Sequence, residues 1–215
     1  MKKQDLKLIS SFIGEKNGKT ELAFAKVEYG AIIATDTRKV IKFNVKDLMG
    51  KGLIHKKLLK AFESIVYKDE IIRFEDNNFI ASDVRFNIDT GYFVEDEDGK
   101  HKLGAKYEDY PAVDTVFKMS VPYHFTIESI EDLQFELAQK NCFIDDIHLN
   151  PIISYSNCSM FDIYYMPQRV EENGDIETAT VKIVAQKADD DGVVFTQFIA
   201  VIMGRKFESK AKEVY

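Results

Sequence analysis

No apolar run in this sequence approaches the ~20 residues that a membrane-crossing helix requires, so neither a helical span nor a membrane partner is expected. The opening Met1-Lys2-Lys3-Gln4-Asp5 leads into an amphipathic segment rather than a signal-like apolar one, and a cytoplasmic location is the expectation. Cysteine is scarce. Cys142 and Cys158 are the only two, and without a secretory segment they read as reduced, partly buried thiols rather than a disulfide. The common catalytic and cofactor signatures are missing as well. There is no P-loop, no Gly-x-Gly-x-x-Gly after a strand, no Gly-x-Ser-x-Gly and no His-Glu-x-x-His, which excludes enzymes of those types.

Histidine is sparse and scattered, at His55, His101, His124 and His148. Only Asp145, Asp146 and His148 stand close enough to suggest a metal, and a surface loop is the plainer reading. Asp189-Asp190-Asp191-Gly192 lacks the spaced ligands and distal glutamate of a calcium loop and reads as a hairpin turn. No catalytic residue, cofactor or metal site is therefore assigned.

Positive charge is in the minority, 29 Lys and Arg against 36 Asp and Glu for a formal net charge of -7, which on its face argues against a polyanionic partner. The distribution reverses that impression. Residues 1–60 hold 14 basic against 6 acidic side chains, and the remainder 15 against 30. Such a chain stays soluble while one surface attracts a polyanion. With 45% hydrophobic and 12% aromatic residues and no long polar tract, all 215 residues are expected to fold, with length for two compact domains of ~100 residues.

Leu6, Ile9, Phe12 and Ile13 recur at helical intervals with Lys2, Lys3 and Lys7 toward the other side, so 3–13 predicts a short amphipathic helix stopped by Gly14. Strand-length apolar runs follow at 21–29, 31–35 and 38–45, broken by Gly30 and the Asp36-Thr37 turn. Residues 51–66 return to helical period, with Leu58, Leu59, Phe62 and Ile65 inward and Lys56, Lys57 and Lys60 outward. Three more strands, 70–75, 79–82 and 84–91, precede a charged hairpin tip at 95–102. The Tyr110-Pro111 step and the run to Phe117 close a first domain, 1–117.

The second, 118–215, begins with a strand at 123–127 and an acidic helix at 130–140 opened by Glu128-Ser129. Strands are predicted at 149–155, 160–166, 180–186 and 193–207, with turns at 171–175 and 189–192, and no second helix is evident. The class is α+β, two domains each combining antiparallel strands with one or two amphipathic helices. Rows of lysine on helices make phosphate contacts without base preference, as a sliding protein needs. Neither basic helix carries stacking aromatics on its polar side, which disfavours single-strand binding. Lysines on the solvent side of an amphipathic helix are also ordinary.

Three separated stretches carry a resemblance: Ala34-Thr35-Asp36-Thr37-Arg38-Lys39-Val40, Tyr107-Glu108-Asp109-Tyr110 running on to Val113, and Val201-Ile202-Met203-Gly204-Arg205-Lys206-Phe207. In that order they resemble the last two domains of bacterial DNA sliding clamps, the DNA polymerase III beta subunits, and by extension phage processivity factors. In that family the turn after an Ala-Thr-Asp strand, a Phe-Pro-Asp-Tyr segment and a terminal Met-Pro-Met-Arg-Leu strand form a hydrophobic pocket for client peptides. The resemblance thus implies a peptide site of Thr35, Thr37, Lys39 and Val40, then Val113, then Val201, Met203 and Phe207. Departures from the pattern are Glu108 and Gly204 in place of prolines and Arg205 in place of a pocket methionine.

The function implied is a non-enzymatic DNA clamp. It surrounds double-stranded DNA without sequence preference through Lys2, Lys3, Lys7, Lys56, Lys57 and Lys60, and it takes DNA polymerase or other client peptides in the pocket. A ring of six domains built from two-domain subunits closes as a homo-oligomeric trimer, pairing the edge strands of every subunit. The alternative is a non-ring peptide-binding adaptor or clamp inhibitor with a clamp-like fold. A third reading is an enzyme working through Asp145, Asp146 and His148.

Overall fold

Leu6, Ile9, Phe12 and Ile13 are all buried in the computed structural model, which describes residues 1–14, 20–75, 78–81, 84–88, 93–95, 101–103, 107–155, 157–170 and 176–204. Their spacing produces helix α1 (Lys3–Phe12), whose first turn is closed by the Lys2 backbone N–H donating to the Asp5 carboxylate at 2.6 Å. A single 3-10 turn (Thr20–Ala23) then leads into the meander β1 (Phe24–Glu28), β2 (Ala31–Thr35) and β3 (Lys39–Asn44), so the first strand starts three residues later than its apolar run suggests.

Residues 51–66 are not one helix. Gly52–His55 form strand β4, paired with β1, and only Lys56–Ile65 form helix α2, which is capped by His55 Nδ1 accepting the Lys57 N–H at 3.2 Å. Leu53 and Ile54 are buried on opposite faces of the sheet, as successive strand residues must be. Of the four side chains expected inward on α2, Leu59 and Phe62 are buried, Leu58 is half-buried and Ile65 is 52% exposed.

A small sheet of β5 (Arg73–Glu75), β6 (Asn78–Ala81) and β7 (Val84–Asn87) packs Phe79 and Phe86 against Phe62. β8 (Phe93–Glu95) and β9 (His101–Leu103) pair as a hairpin whose connecting residues lie outside the described ones. The short helix α3 spans Asp114–Phe117.

Beyond it come β10 (Tyr123–Ile127), α4 (Leu133–Gln139), α5 (Asp146–Ile153) and β11 (Met160–Met166). After the two-residue strands β12 (Arg169–Val170) and β13 (Ile176–Glu177) run the long β14 (Thr180–Ala188) and β15 (Val194–Met203). Helix α5 overturns the strand expected at 149–155. Leu149 and Ile152, three residues apart, are both buried, and Pro151 sits inside the helix, giving up one backbone bond without breaking it. The turn at 189–192 forms as expected, with Gly192 at φ +80° and Asp189 Oδ1 accepting the Asp191 and Val193 N–H groups.

Strands from both sides of residue 117 join one eight-stranded antiparallel sheet, ordered β10-β11-β14-β15-β3-β2-β1-β4. The seam is β15 on β3, with Val201 opposite Val40 and Phe198 opposite Phe43. One face of the sheet (Ile41, Phe43, Ile163, Phe198, Ala200) shares a core with all four long helices. The other face (Ile33, Val40, Leu53, Val201) is covered by Tyr110 and Phe117 of the 107–117 segment. At about 1.5–3 kcal/mol for each fully buried large side chain, this second, smaller core is enough to hold that segment against the sheet.

Candidate peptide pocket and basic helix face

The β2–β3 connection is a tight turn held by its own side chains. Asp36 Oδ1 accepts the N–H groups of Arg38 (3.0 Å) and Lys39 (2.9 Å). Thr35 Oγ1 donates to the Lys39 carbonyl at 3.0 Å and accepts the Thr37 N–H at 3.3 Å. Thr37 takes φ +80°, a left-handed conformation that its β-branched side chain resists and that these bonds enforce.

Two further segments converge on this turn. The buried Tyr110 hydroxyl donates to the Ile33 carbonyl at 3.1 Å, and Lys182 Nζ on β14 donates to the Phe117 carbonyl at 2.6 Å, so 111–116 is pinned at both ends. Burial pushes the Tyr110 phenol far above its ordinary pKa, which keeps it a donor. From the other side the end of β15 is tied down by the Met203 N–H on the Arg38 carbonyl and the Gly204 N–H on the Ala179 carbonyl, both 2.8 Å.

Between them lies a cavity of about 270 Å³. Thr35, Thr37, Lys39, Val40, Val113, Val201 and Met203 line it, so seven of the eight peptide-site residues come together from three stretches of sequence. Phe207, the eighth, and Arg205 lie outside the described residues. Leu22, Arg38, Pro111 and Val116 complete the lining. The floor is apolar and the β2–β3 wall is cationic. Lys39 is buried to 6% exposure, its ammonium 3.7 Å from Asp36 and 5.2 Å above the Phe12 ring, and burial lowers its pKa. Arg38 is exposed at the rim.

The six lysines of the basic helices divide. Lys3, Lys7, Lys56 and Lys60 line one groove between α1 and α2, together with Ser10, Ser11, Glu63 and Ser64. Lys57 projects to solvent outside that lining, and Lys2 borders a different depression beside Lys46 and Lys187. Two of the groove lysines also hold the helices. Lys3 Nζ donates to the Val66 carbonyl at 3.0 Å and Lys56 Nζ to the Ile13 carbonyl at 2.8 Å, each from the start of one helix to the end of the other. The helices are therefore antiparallel, and each C-terminal carbonyl end meets a cation.

Asp145, Asp146 and His148 sit at the start of α5. Among the described residues no three His, Cys, Asp or Glu side chains converge as metal ligands, and Asp146 instead accepts the Gln134 amide. His148 faces the β2–β3 turn. Its Nδ1 is buried without a hydrogen-bond partner, and its pKa is lowered by burial first and then by Lys39 and Arg38, against opposing Asp36 and Asp145.

Among solved structures the chain is similar to the DNA polymerase III beta chain of Streptococcus pneumoniae, with a TM-score of 0.53 at 11% identity over 96% of this chain and 64% of that one. A putative DNA polymerase III beta subunit from Eubacterium rectale gives 0.52 at 11% over 96% and 65%, and the DNA polymerase sliding clamp of Pseudomonas aeruginosa 0.53 at 9% over 96% and 66%. The fold is that of a DNA sliding clamp. This chain spans just under two thirds of the length of those clamps. No protein-family model matches it, and no curated protein is similar to it in sequence.

At such identity the clamp fold is carried by element order and strand pairing rather than by matching residues. Of the four lining residues not assigned from sequence, Arg38 lies within the first clamp-like stretch, and Pro111 and Val116 flank Val113. Leu22 carries no local signal and enters only because the 3-10 turn before β1 places it there. No helix among the described residues is long and apolar enough to cross a membrane.

Proposed function

We propose that this protein is a DNA sliding clamp of two clamp-like units, 1–117 and 118–215, which surrounds duplex DNA and takes client peptides in the pocket between β2–β3, 111–116 and the end of β15. The observation that carries the reading is the convergence of three separated sequence stretches into one apolar cavity within a clamp fold. An apolar floor suits a short peptide anchored by a few aliphatic or aromatic side chains, each worth ~1.5–3 kcal/mol when fully buried. The α1–α2 groove, with Lys7 and Lys60 at its mouth, supplies non-specific phosphate contact. Such a clamp tethers rather than catalyses, and it works in the cytoplasm beside a polymerase.

Ring closure requires self-association, and six units need three copies. Light scattering on the purified chain tests this, with an expected mass three times the 24.7 kDa of one copy. A monomer at micromolar concentration removes the ring. One observation favours the rival, a peptide-binding adaptor or clamp inhibitor that never surrounds DNA. Helices α4 (LQFELAQ) and α5 (DIHLNPII) contain no lysine or arginine, so the helix face of the second unit offers phosphate nothing. Under that reading peptides bind and duplex DNA does not.

A further inference from the structure

We propose that the depression beside the start of α1 binds a nucleoside phosphate, with the phosphate among Lys2, Lys46 and Lys187 and the base against Phe195 and Ile71. The inference stands apart from the clamp reading, because none of these side chains lines the β2–β3 pocket or the α1–α2 groove. The depression, of about 260 Å³, is assembled from distant stretches of sequence: the start of α1, the end of β3, the end of β14, the start of β15 and Asn157. That volume falls just under the ~300–1,000 Å³ of small-molecule sites, with room for one nucleotide and none for a duplex.

The charge at the site favours an anion. Lys2, Lys46 and Lys187 form no ion pair with a carboxylate among the described residues. The fields of Lys187 and Lys2 both reach the Met1 amine, which puts those two cations at one corner. Among the described residues a single carboxylate, Asp5, borders the depression, and it is committed elsewhere. Its Oδ2 accepts the Lys2 backbone N–H at 2.6 Å and its Oδ1 accepts the Tyr155 hydroxyl at 2.8 Å. Three cations against one hydrogen-bonded carboxylate suit a compact anion with several acceptor oxygens, as a phosphate is.

The rest of the lining suits a base. Ile71 is 65% exposed and Phe195 38%, so a flat apolar group gains burial against them, and the Phe195 ring offers a stacking face. Two amides of the lining spend their N–H groups on the backbone. Asn44 Nδ2 donates to the Thr196 carbonyl at 2.8 Å and Gln197 Nε2 to the Asn44 carbonyl at 3.1 Å. Their oxygens remain acceptors, which matches the exocyclic amino group of a base such as adenine.

Isothermal titration calorimetry on the full chain tests this with AMP, ribose 5-phosphate, inorganic phosphate and adenosine. AMP is expected to bind, with ribose 5-phosphate and inorganic phosphate about tenfold weaker for lack of a stacked base. Adenosine is expected to be about tenfold weaker for lack of charge. Lys46→Gln and Lys187→Gln each weaken AMP by about tenfold and leave adenosine unchanged, whereas Phe195→Ser lowers AMP to the level of ribose 5-phosphate. Lys46→Gln alters only an exposed side chain, so its thermal midpoint matches the wild type and its loss of affinity is not a loss of fold. No binding of AMP at about 1 mM overturns the site. So does equal affinity for AMP and inorganic phosphate, or AMP affinity indifferent to both lysine variants. Duplex DNA that displaces AMP from the wild type gives these lysines to a nucleic-acid backbone and overturns the inference as well. Each of these outcomes leaves the peptide pocket untouched.

Discussion

Gly204 stands where the clamp pattern has proline, and its surroundings explain the exchange. A Cβ at this position would lie 2.8 Å from the Phe143 carbonyl oxygen, and the Gly204 N–H donates to the Ala179 carbonyl, a bond that proline cannot make. Gly204→Ala is expected to cost about 1–3 kcal/mol through overpacking, and Gly204→Pro more, as read by urea denaturation. A neutral Gly204→Ala would mean that the Phe143 carbonyl yields freely.

Four protonated groups, three buried and Cys158 partly so, make stability fall at alkaline pH. Burial pushes the Cys142 and Cys158 thiols up to about 12, and the Tyr110 and Tyr155 phenols are raised as well. Each has a folded pKa above its unfolded value, so its contribution is complete below the unfolded pKa and is lost as pH rises toward the folded one. Unfolding free energy should therefore be level to about pH 8.5 and fall steadily from there to pH 11. Denaturation midpoints across that range check the slope. The same protonation makes both thiols slow toward a thiol reagent at pH 8 in the native state and fast once the chain is unfolded.

Among the elements, what was legible depended on whether tertiary contacts agreed with the local pattern. Helix α1 and the β2–β3 hairpin follow from spacing and turn residues alone, because local preference and burial coincide there. Strand β4 was hidden because Leu53 and Ile54 also fit the helical period of the residues after them, and only pairing with β1 decides between the two. Helix α5 was hidden by Pro151 and the adjacent Ile152-Ile153, which favour extended structure locally while the core takes Leu149 and Ile152 from one helix face. The pocket was legible wherever a contiguous motif supplies it and silent at Leu22, which reaches it by packing.

The α1–α2 pair offers a prediction at this scale, since its lysines divide by role. Lys3→Met and Lys56→Met each remove a cation from a helix C-terminus and should lower stability by about 0.3–1 kcal/mol. Lys7→Met and Lys60→Met should leave the denaturation midpoint unchanged and weaken duplex binding, each reducing the slope of log affinity against log salt by roughly 1. Equal effects of all four on stability would assign the groove to scaffolding.

At the scale of the whole molecule, one sheet joins strands from both sides of residue 117 through β3 and β15, and the pocket sits on that seam. A peptide bound there, as proposed, would touch strands from both sides of residue 117 at once. Among the described residues the same sheet ends in two edges, β4 and β10, with β4 bonded only to β1 and β10 only to β11. Unpaired edges, here of four and five residues, can take another chain, and the flanking charges say which. Lys51, Lys56 and Lys57 bracket β4, whereas Glu128, Glu131 and Asp132 follow β10. The edges are thus complementary to one another and each repels its own kind, which favours head-to-tail pairing over a two-fold dimer. Thr126 is exposed on β10 with its Oγ1 donating to the Asp162 carboxylate at 3.0 Å, so Thr126→Lys gives up that bond and places a cation on the edge where the basic edge of a neighbouring copy would dock. Light scattering should then report the mass of a single chain, and the wild-type assembly should weaken between 0.1 and 1 M salt as screening shortens the reach of those charges. An assembly whose mass is indifferent both to salt and to Thr126→Lys would place the contact between subunits somewhere other than these two strands.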